Sequence, residues 1–215
     1  MPVSELNRNV RPRVVATERL RGALEPVYDK RVMQRKQQPS NLAWIDLEMT
    51  GLNAEKDVIL QAALVVTNQE LEPLEEASFD VWQPEQNLTT MSPFVRDMHE
   101  KNGLLKRSKE SRFECHEVER RLLERISGWC AFPAILCGNS IGQDRRFINR
   151  YMPGLAGYLH YRMVDVSSLK VLMHLWYGQA GEYKKPEAGA HDALFDVRQS
   201  IEELKYYRKR FLAKP

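Results

Sequence analysis

Residues 41–52, NLAWIDLEMTGL, set two carboxylates, Asp46 and Glu48, inside an otherwise apolar run. Side chains alternate across a strand, so residues two apart share a face. Read as a strand over 42–48, the run turns Ile45 and Leu47 one way and Trp44, Asp46 and Glu48 the other. Burying two like charges together is costly, and such a pair is normally held by a cation. Thr50 and Gly51 follow at once as turn residues. They place the pair at the C-terminal end of the strand, the edge at which open α/β sheets bind ligands.

The chain has enough material to bury such a strand. Its 215 residues fit one domain of ordinary to large size. The apolar fraction of 43% and the charged fraction of 28% are those of a soluble globular protein. No apolar run approaches the roughly 18 to 20 residues that span a bilayer, so a membrane span is excluded. The net charge of +3 is unevenly spread: residues 1–40 carry nine of the 32 basic and four of the 29 acidic residues, which leaves 23 bases against 25 acids in the rest. The body therefore lacks the basic field that grips a long nucleic acid by its phosphates. A polyanionic substrate must be short or be met locally through metal ions. Cys115, Cys130 and Cys137 form no CxxC pair and are odd in number, which reads as free thiols in a reducing compartment.

Residues 1–40 hold Pro2, Pro12, Pro26 and Pro39, scattered bases and one short helical stretch near 17–24. They read as a weakly ordered arm ending in the linker QQPS. A mitochondrial targeting segment is the alternative, but Glu5, Glu18, Glu25, Asp29 and a single serine before the linker argue against it. The expected location is the cytoplasm. Beyond the first strand, 58–67 and 78–83 read as two more, joined by connections short enough for an antiparallel meander. The period then changes to that of helices, over 93–105 and more clearly 112–129, with apolar residues at 115, 118, 122, 123, 126 and 129. A short buried strand at 135–137 turns through Gly138, Asn139 and Ser140 into a helix over 143–151, which should stop before Pro153. A fifth strand at 164–166, a helix at 167–176, a loop at 178–189 and a terminal helix at 192–211 complete the chain. The pattern is α/β: a mixed five-stranded sheet flanked by helices.

Asp46 and Glu48 are joined as candidates by Asp144 at a helix start, Asp196 early in the last helix and His191 just ahead of it. Each of the later three has a plain structural reading. Asp144 suits the positive end of a helix, Asp196 a solvated helix face, and His191 a cap or a core position. If the four acids converge, they form a hard, all-oxygen site suited to Mg²⁺ or Mn²⁺ rather than zinc.

The segments IDLEMTGL, CGNSIGQDRRF, YMP, LHYRMVDVSSLK and AHDALFDVRQSIEELKYYR, in this order over about 41–210, resemble the oligoribonuclease family in the histidine-bearing branch of the DEDD exonuclease superfamily. The resemblance implies an RNase H-like fold, a homodimer and two divalent cations, Mg²⁺ or Mn²⁺. It also implies 3′-to-5′ hydrolysis of very short RNA, especially dinucleotides, to mononucleotides, with residues 41–215 as the exonuclease domain. On that basis Asp46, Glu48, Asp144 and Asp196 are the metal-binding acids and His191 is the general base. Leu52 wedges between two bases, and Tyr161 reaches the neighbouring subunit's site and stacks on a base. Ser140, Arg162, Ser167 and Ser168 cap the 5′ phosphate, His99 lines the site, and Phe94 stands where a tryptophan is usual and keeps an aromatic for stacking. Two further positions depart from the family pattern. Gln61 replaces the usual glutamate, a lost charge expected to weaken metal binding, and Phe195 replaces the acid before Asp196. Two alternatives keep the same fold: an exonuclease trimming or proofreading longer DNA or RNA 3′ ends, and a non-catalytic nucleic-acid-binding module.

Overall fold

The computed structural model describes residues 37–186 and 192–212. The arm expected over 1–36, its helical stretch near 17–24 and His191 lie outside the described residues. Five strands form one sheet: β1 (Leu42–Met49), β2 (Ile59–Thr67), β3 (Pro73–Asp80), β4 (Ala134–Gly138) and β5 (Leu159–Asp165). Their order is β3-β2-β1-β4-β5. The short connections make β1, β2 and β3 an antiparallel meander, while the longer helical crossovers add β4 and β5 parallel to β1. The expected mixed sheet is thus present.

Eight helices accompany it among the described residues: α1 (Glu85–Leu88), α2 (Pro93–Lys101), α3 (Leu104–Glu110), α4 (Cys115–Trp129), α5 (Gly142–Tyr151), α6 (Pro153–Tyr158), α7 (Val166–Tyr177) and α8 (Ala193–Arg210), with a 3₁₀ turn at Gly178–Gly181. The alternation of β1 decides the layering. Ala43, Ile45 and Leu47 pack with Val118, Leu122 and Ile126 of α4 and Phe147 of α5. Trp44 points to the opposite face, among Val197, Ile201 and Tyr207 of α8 and Val166 and Met173 of α7. Its indole N–H is buried but donates to Thr67 Oγ1 at 3.0 Å, so the ring is accommodated without an orphaned donor. β2 is buried along its whole length, as a central strand covered on both faces must be.

Three elements differ clearly from their expected bounds. The third strand runs over Pro73–Asp80 rather than 78–83. Glu75 and Glu76 disguise it, and both are tolerated because β3 is an edge strand, where charges prevent further pairing. The helix expected over 93–105 is broken by Gly103, whose φ of 74° belongs to the left-handed region that glycine enters freely. The fifth strand starts at Leu159 rather than 164, since an exposed edge strand need not show an apolar alternation. Pro153 does end α5, but it also serves as the first residue of α6, a position that needs no N–H. At the other end of the domain, Gln38 of the expected linker is bound to the body. Its N–H donates to Trp129 O at 2.9 Å and its carbonyl accepts from Ala131 N at 3.3 Å.

Candidate active site

Pairing between β1 and β4 stops at Trp44 and Cys137, so the last residues of β1 lose their neighbour on that side and a crevice opens. The Leu47 N–H, beyond the last pair, donates instead to Asp144 Oδ1 at 3.0 Å. That bond carries the first turn of α5 to the strand end and buries Asp144. From the opposite face α8 brings Asp196, one turn into the helix. Carboxylate oxygens of Asp46, Glu48 and Asp196 lie within 4.8 Å of one another. Asp144 has turned one oxygen to the Leu47 N–H and lies close enough to raise the proton affinity of both Asp46 and Glu48.

Burial and mutual repulsion dominate the electrostatics. Burial first, then Asp144, Glu48 and Asp196, push the Asp46 carboxyl well above the usual carboxylate range. Glu48 is pushed up to about 7, by burial and then by Asp196 and Asp144. Asp144 is also pushed up to about 7 by burial, partly offset by its backbone hydrogen bonds. Lys185 answers this charge: its Nζ touches Asp196 Oδ1, and it draws the proton affinities of Asp46 and Glu48 back down. An ammonium drawn to this cluster and hard oxygen donors gathered in a buried corner are what a divalent cation site requires. Asp46, Glu48 and Asp196 therefore fit such an ion, with Asp144 beside them.

The loop after β1 presents Leu52. A Cβ on Gly51 would lie 2.5 Å from Asp57 Oδ2, so only glycine lets Asp57 close the turn. Asp57 accepts from Thr50 Oγ1 at 3.2 Å and from Asn53 N at 2.9 Å. Gln143 Nε2 holds the Leu52 carbonyl at 2.5 Å, and the leucine side remains 70% exposed. Phe94, at the start of α2, is 77% exposed. His99, further along that helix, is completely buried, with Nε2 3.0 Å from Met49 O. That contact sets the ring against the end of β1, next to Glu48 in the chain.

At the far side, Ser140 and Ser167 form a knot where β4 and β5 end. Ser140, at φ 50°, donates its N–H to Asp165 Oδ1 at 2.9 Å and to Ser167 Oγ at 2.8 Å. Ser167 Oγ donates to Asn139 Oδ1 at 3.1 Å, while Ser168 is exposed. Tyr161 is 76% exposed on β5, stacked on His160 with centroids 4.4 Å apart and with the Arg162 guanidinium 5.3 Å from its ring.

A sequence model of the exonuclease family matches residues 43–204. The chain is 44% identical over 178 residues to the oligoribonuclease of Ectopseudomonas mendocina, covering 82% of this chain and 98% of that protein. It is 40% identical over 179 residues to the oligoribonuclease of Francisella tularensis, covering 82% and 99%. The chain belongs to the oligoribonuclease family of exonucleases. Among solved structures, the zinc-bound E. coli exonuclease I–single-stranded DNA complex superposes with a TM-score of 0.64 at 16% identity, over 81% of this chain and 41% of that one. That likeness shows the fold, the RNase H-like sheet expected from the sequence. Membership of the family makes the chain a nuclease, a hydrolase of phosphodiesters, and the acid cluster agrees with metal dependence.

Several residues in this oligoribonuclease-family site escaped the sequence reading. Asn139, inside the quoted CGNS segment, donates to Ser200 Oγ at 3.0 Å and Glu203 Oε2 at 2.9 Å, tying the β4 turn to α8. Ser200 donates to Asp196 O at 3.0 Å, so the tie ends one turn from the cluster. Lys185 stood in a stretch read only as loop, and no spacing rule marks it.

Proposed function

We propose that this chain is a 3′-to-5′ exoribonuclease that cleaves dinucleotides and similarly short RNA to mononucleotides, using two divalent cations, Mg²⁺ or Mn²⁺. The observation that carries this reading is the convergence of Asp46, Glu48 and Asp196 within 4.8 Å beside buried Asp144, in a chain of this family. These four acids would hold the ions, which when bound would activate a water and neutralise charge on the leaving oxygen. Asp144 holds its place through the Leu47 N–H, and Asp196 through α8. Their burial strengthens each charge–charge interaction with an ion. His191, outside the described residues, is assigned as the base that takes the water's proton, a role suited to an imidazole near neutral pH.

Length selection is assigned to the rim. Leu52 is fixed by its backbone and free at its side chain, as a wedge between two bases must be. Phe94 offers a second exposed ring. Ser140, Ser167, Ser168 and Arg162 cap the 5′ phosphate, with the guanidinium as its charged partner. Tyr161 completes the neighbouring site in a homodimer. Support for the dimer comes from β5, a sheet edge with exposed Tyr161 and Met163, and from α7, which follows it in the chain and exposes Val171, Leu175 and Trp176. Exposed apolar side chains are what an association surface offers.

Residues 41–215 are assigned as the exonuclease domain and the cytoplasm as its location. The three cysteines are free thiols, as in a reducing compartment, and no helix among the described residues is long and apolar enough to cross a membrane. The test is hydrolysis of a labelled RNA dinucleotide with Mg²⁺, with chelator, and by Asp46→Asn. Turnover only by the unmodified, metal-supplied protein is expected; equal turnover in chelator would overturn the reading.

A further inference from the structure

Strand register places three polar residues in one row across the sheet. Glu48 of β1 faces Gln61 of β2, and Gln61 faces Asp80 of β3. Directly opposed residues in antiparallel pairs project from the same face, here the face that carries α8. Gln61 is 3% exposed and uses both ends of its amide. Its Oε1 accepts from the Ala193 N–H at 3.0 Å, and its Nε2 donates to Asp80 Oδ1 at 2.9 Å. Asp80 is held in turn by Arg107, whose Nε lies 3.2 Å from Oδ2. The partners fix the amide's orientation, since a backbone N–H needs an acceptor and a carboxylate needs a donor.

Ala193 is the first residue of α8 and Asp196 follows three residues later. Residues three apart in a helix lie on the same side, so the bond at Ala193 sets the position of the turn that delivers Asp196 to Asp46 and Glu48. A glutamate at 61 could still accept from Ala193, but it has no N–H for Asp80. It would also make a row of three carboxylates.

We propose that Gln61 is a positioning residue for the acid cluster: its amide, locked between Asp80 and the Ala193 N–H, sets where α8 holds Asp196 against Asp46 and Glu48. The expectation that Gln61 weakens metal binding by lacking a charge is thereby reversed: in this chain the neutral amide preserves the site. The proposal rests on the reading of the four acids as cation ligands. Gln61→Leu leaves the buried Ala193 N–H without its acceptor, and Gln61→Glu sets a second carboxylate against Asp80; moving α8 relieves either penalty.

The test measures Mn²⁺ affinity by calorimetry, together with kcat and KM on an RNA dinucleotide. Gln61→Leu and Gln61→Glu should each weaken Mn²⁺ binding and lower kcat by roughly 10- to 100-fold, the usual scale for groups that orient metal ligands, with little change in KM. Gln61→Glu combined with Asp80→Asn reverses donor and acceptor across the same bond and should recover most of both losses. Ser108→Ala supplies a stability control. It removes a buried hydroxyl that donates to Val81 O at 2.5 Å, and it should lower the melting temperature while binding Mn²⁺ normally. Wild-type Mn²⁺ affinity in Gln61→Glu, no recovery in the double variant, or equal weakening in Ser108→Ala would each overturn the positioning role. Asp46→Asn separates the two layers. If it retains Mn²⁺ affinity and kcat, the cation-ligand reading itself fails; if it loses both while Gln61→Glu is normal, only the role of Gln61 fails.

Discussion

The centre of the site and its rim are built in opposite ways. At the centre, Asp46, Glu48, Asp144 and Asp196 are mostly shielded carboxylates, fixed by strand register and by backbone bonds such as Leu47 N–H to Asp144. Around it, Leu52, Phe94 and Tyr161 are apolar side chains more than two-thirds exposed, carried on a turn, a helix start and an edge strand. The centre has repulsion to relieve and so invites cations. The rim has apolar surface to cover and so invites bases or a second copy of the chain. Chemistry and length selection should therefore respond separately to substitution.

The largest effect should come from the centre. Asp46→Asn should lower kcat on the order of 10³-fold, the scale of losing a principal transition-state stabiliser, with no loss of melting temperature, because a repelled buried charge is removed. Steady-state kinetics beside a melting curve checks both. At the rim, Tyr161→Ala should raise KM for a dinucleotide about tenfold, within the roughly 1–3 kcal/mol of base stacking, and leave kcat nearly unchanged. A fall in kcat as large as that of Asp46→Asn would erase the distinction between the two regions.

The pH dependence sharpens it further. Glu48 and Asp144 are raised from ordinary carboxylate values of 4.5 and 3.8 to about 7. The folded, metal-free protein thus holds protons that the unfolded chain has released. Stability from these groups is full below their unfolded values and is lost as pH rises to about 7. Melting temperature without metal should fall between pH 5 and 7.5, and Mg²⁺ should restore it at pH 7.5. A metal-free protein equally stable at both would contradict the repulsive centre. Activity should rise from pH 5.5 to 8 as His191 and the acids lose protons; a flat profile would argue against His191 as base. The smallest effect is expected at Lys185. Lys185→Ala removes a half-exposed ion pair worth at most about 1 kcal/mol, and should tighten Mn²⁺ binding a few-fold because a competing cation is gone.

What could be read from the sequence follows the same division. Period-two alternation placed Asp46 and Glu48 on the face opposite Ile45 and Leu47, where the structure has them, because strand geometry is local. The approach of Asp144 and Asp196 could be inferred only through family resemblance, since it depends on where β1 and β4 part and how α8 crosses the sheet. Gln61 looked like a simple loss of charge because its partners, Asp80 and Ala193, are 19 and 132 residues away. β5 was shortened for a related reason. Edge exposure is a tertiary fact that leaves little periodic trace.

The central claim is that a cation-holding centre is combined with a rim selective for two bases. Its most direct test is a competition between equimolar labelled RNA 2-mer and 20-mer, with Mg²⁺ and limiting protein. The account predicts that the 2-mer is consumed first by a wide margin, and that Tyr161→Ala narrows the margin. Faster consumption of the 20-mer would contradict it.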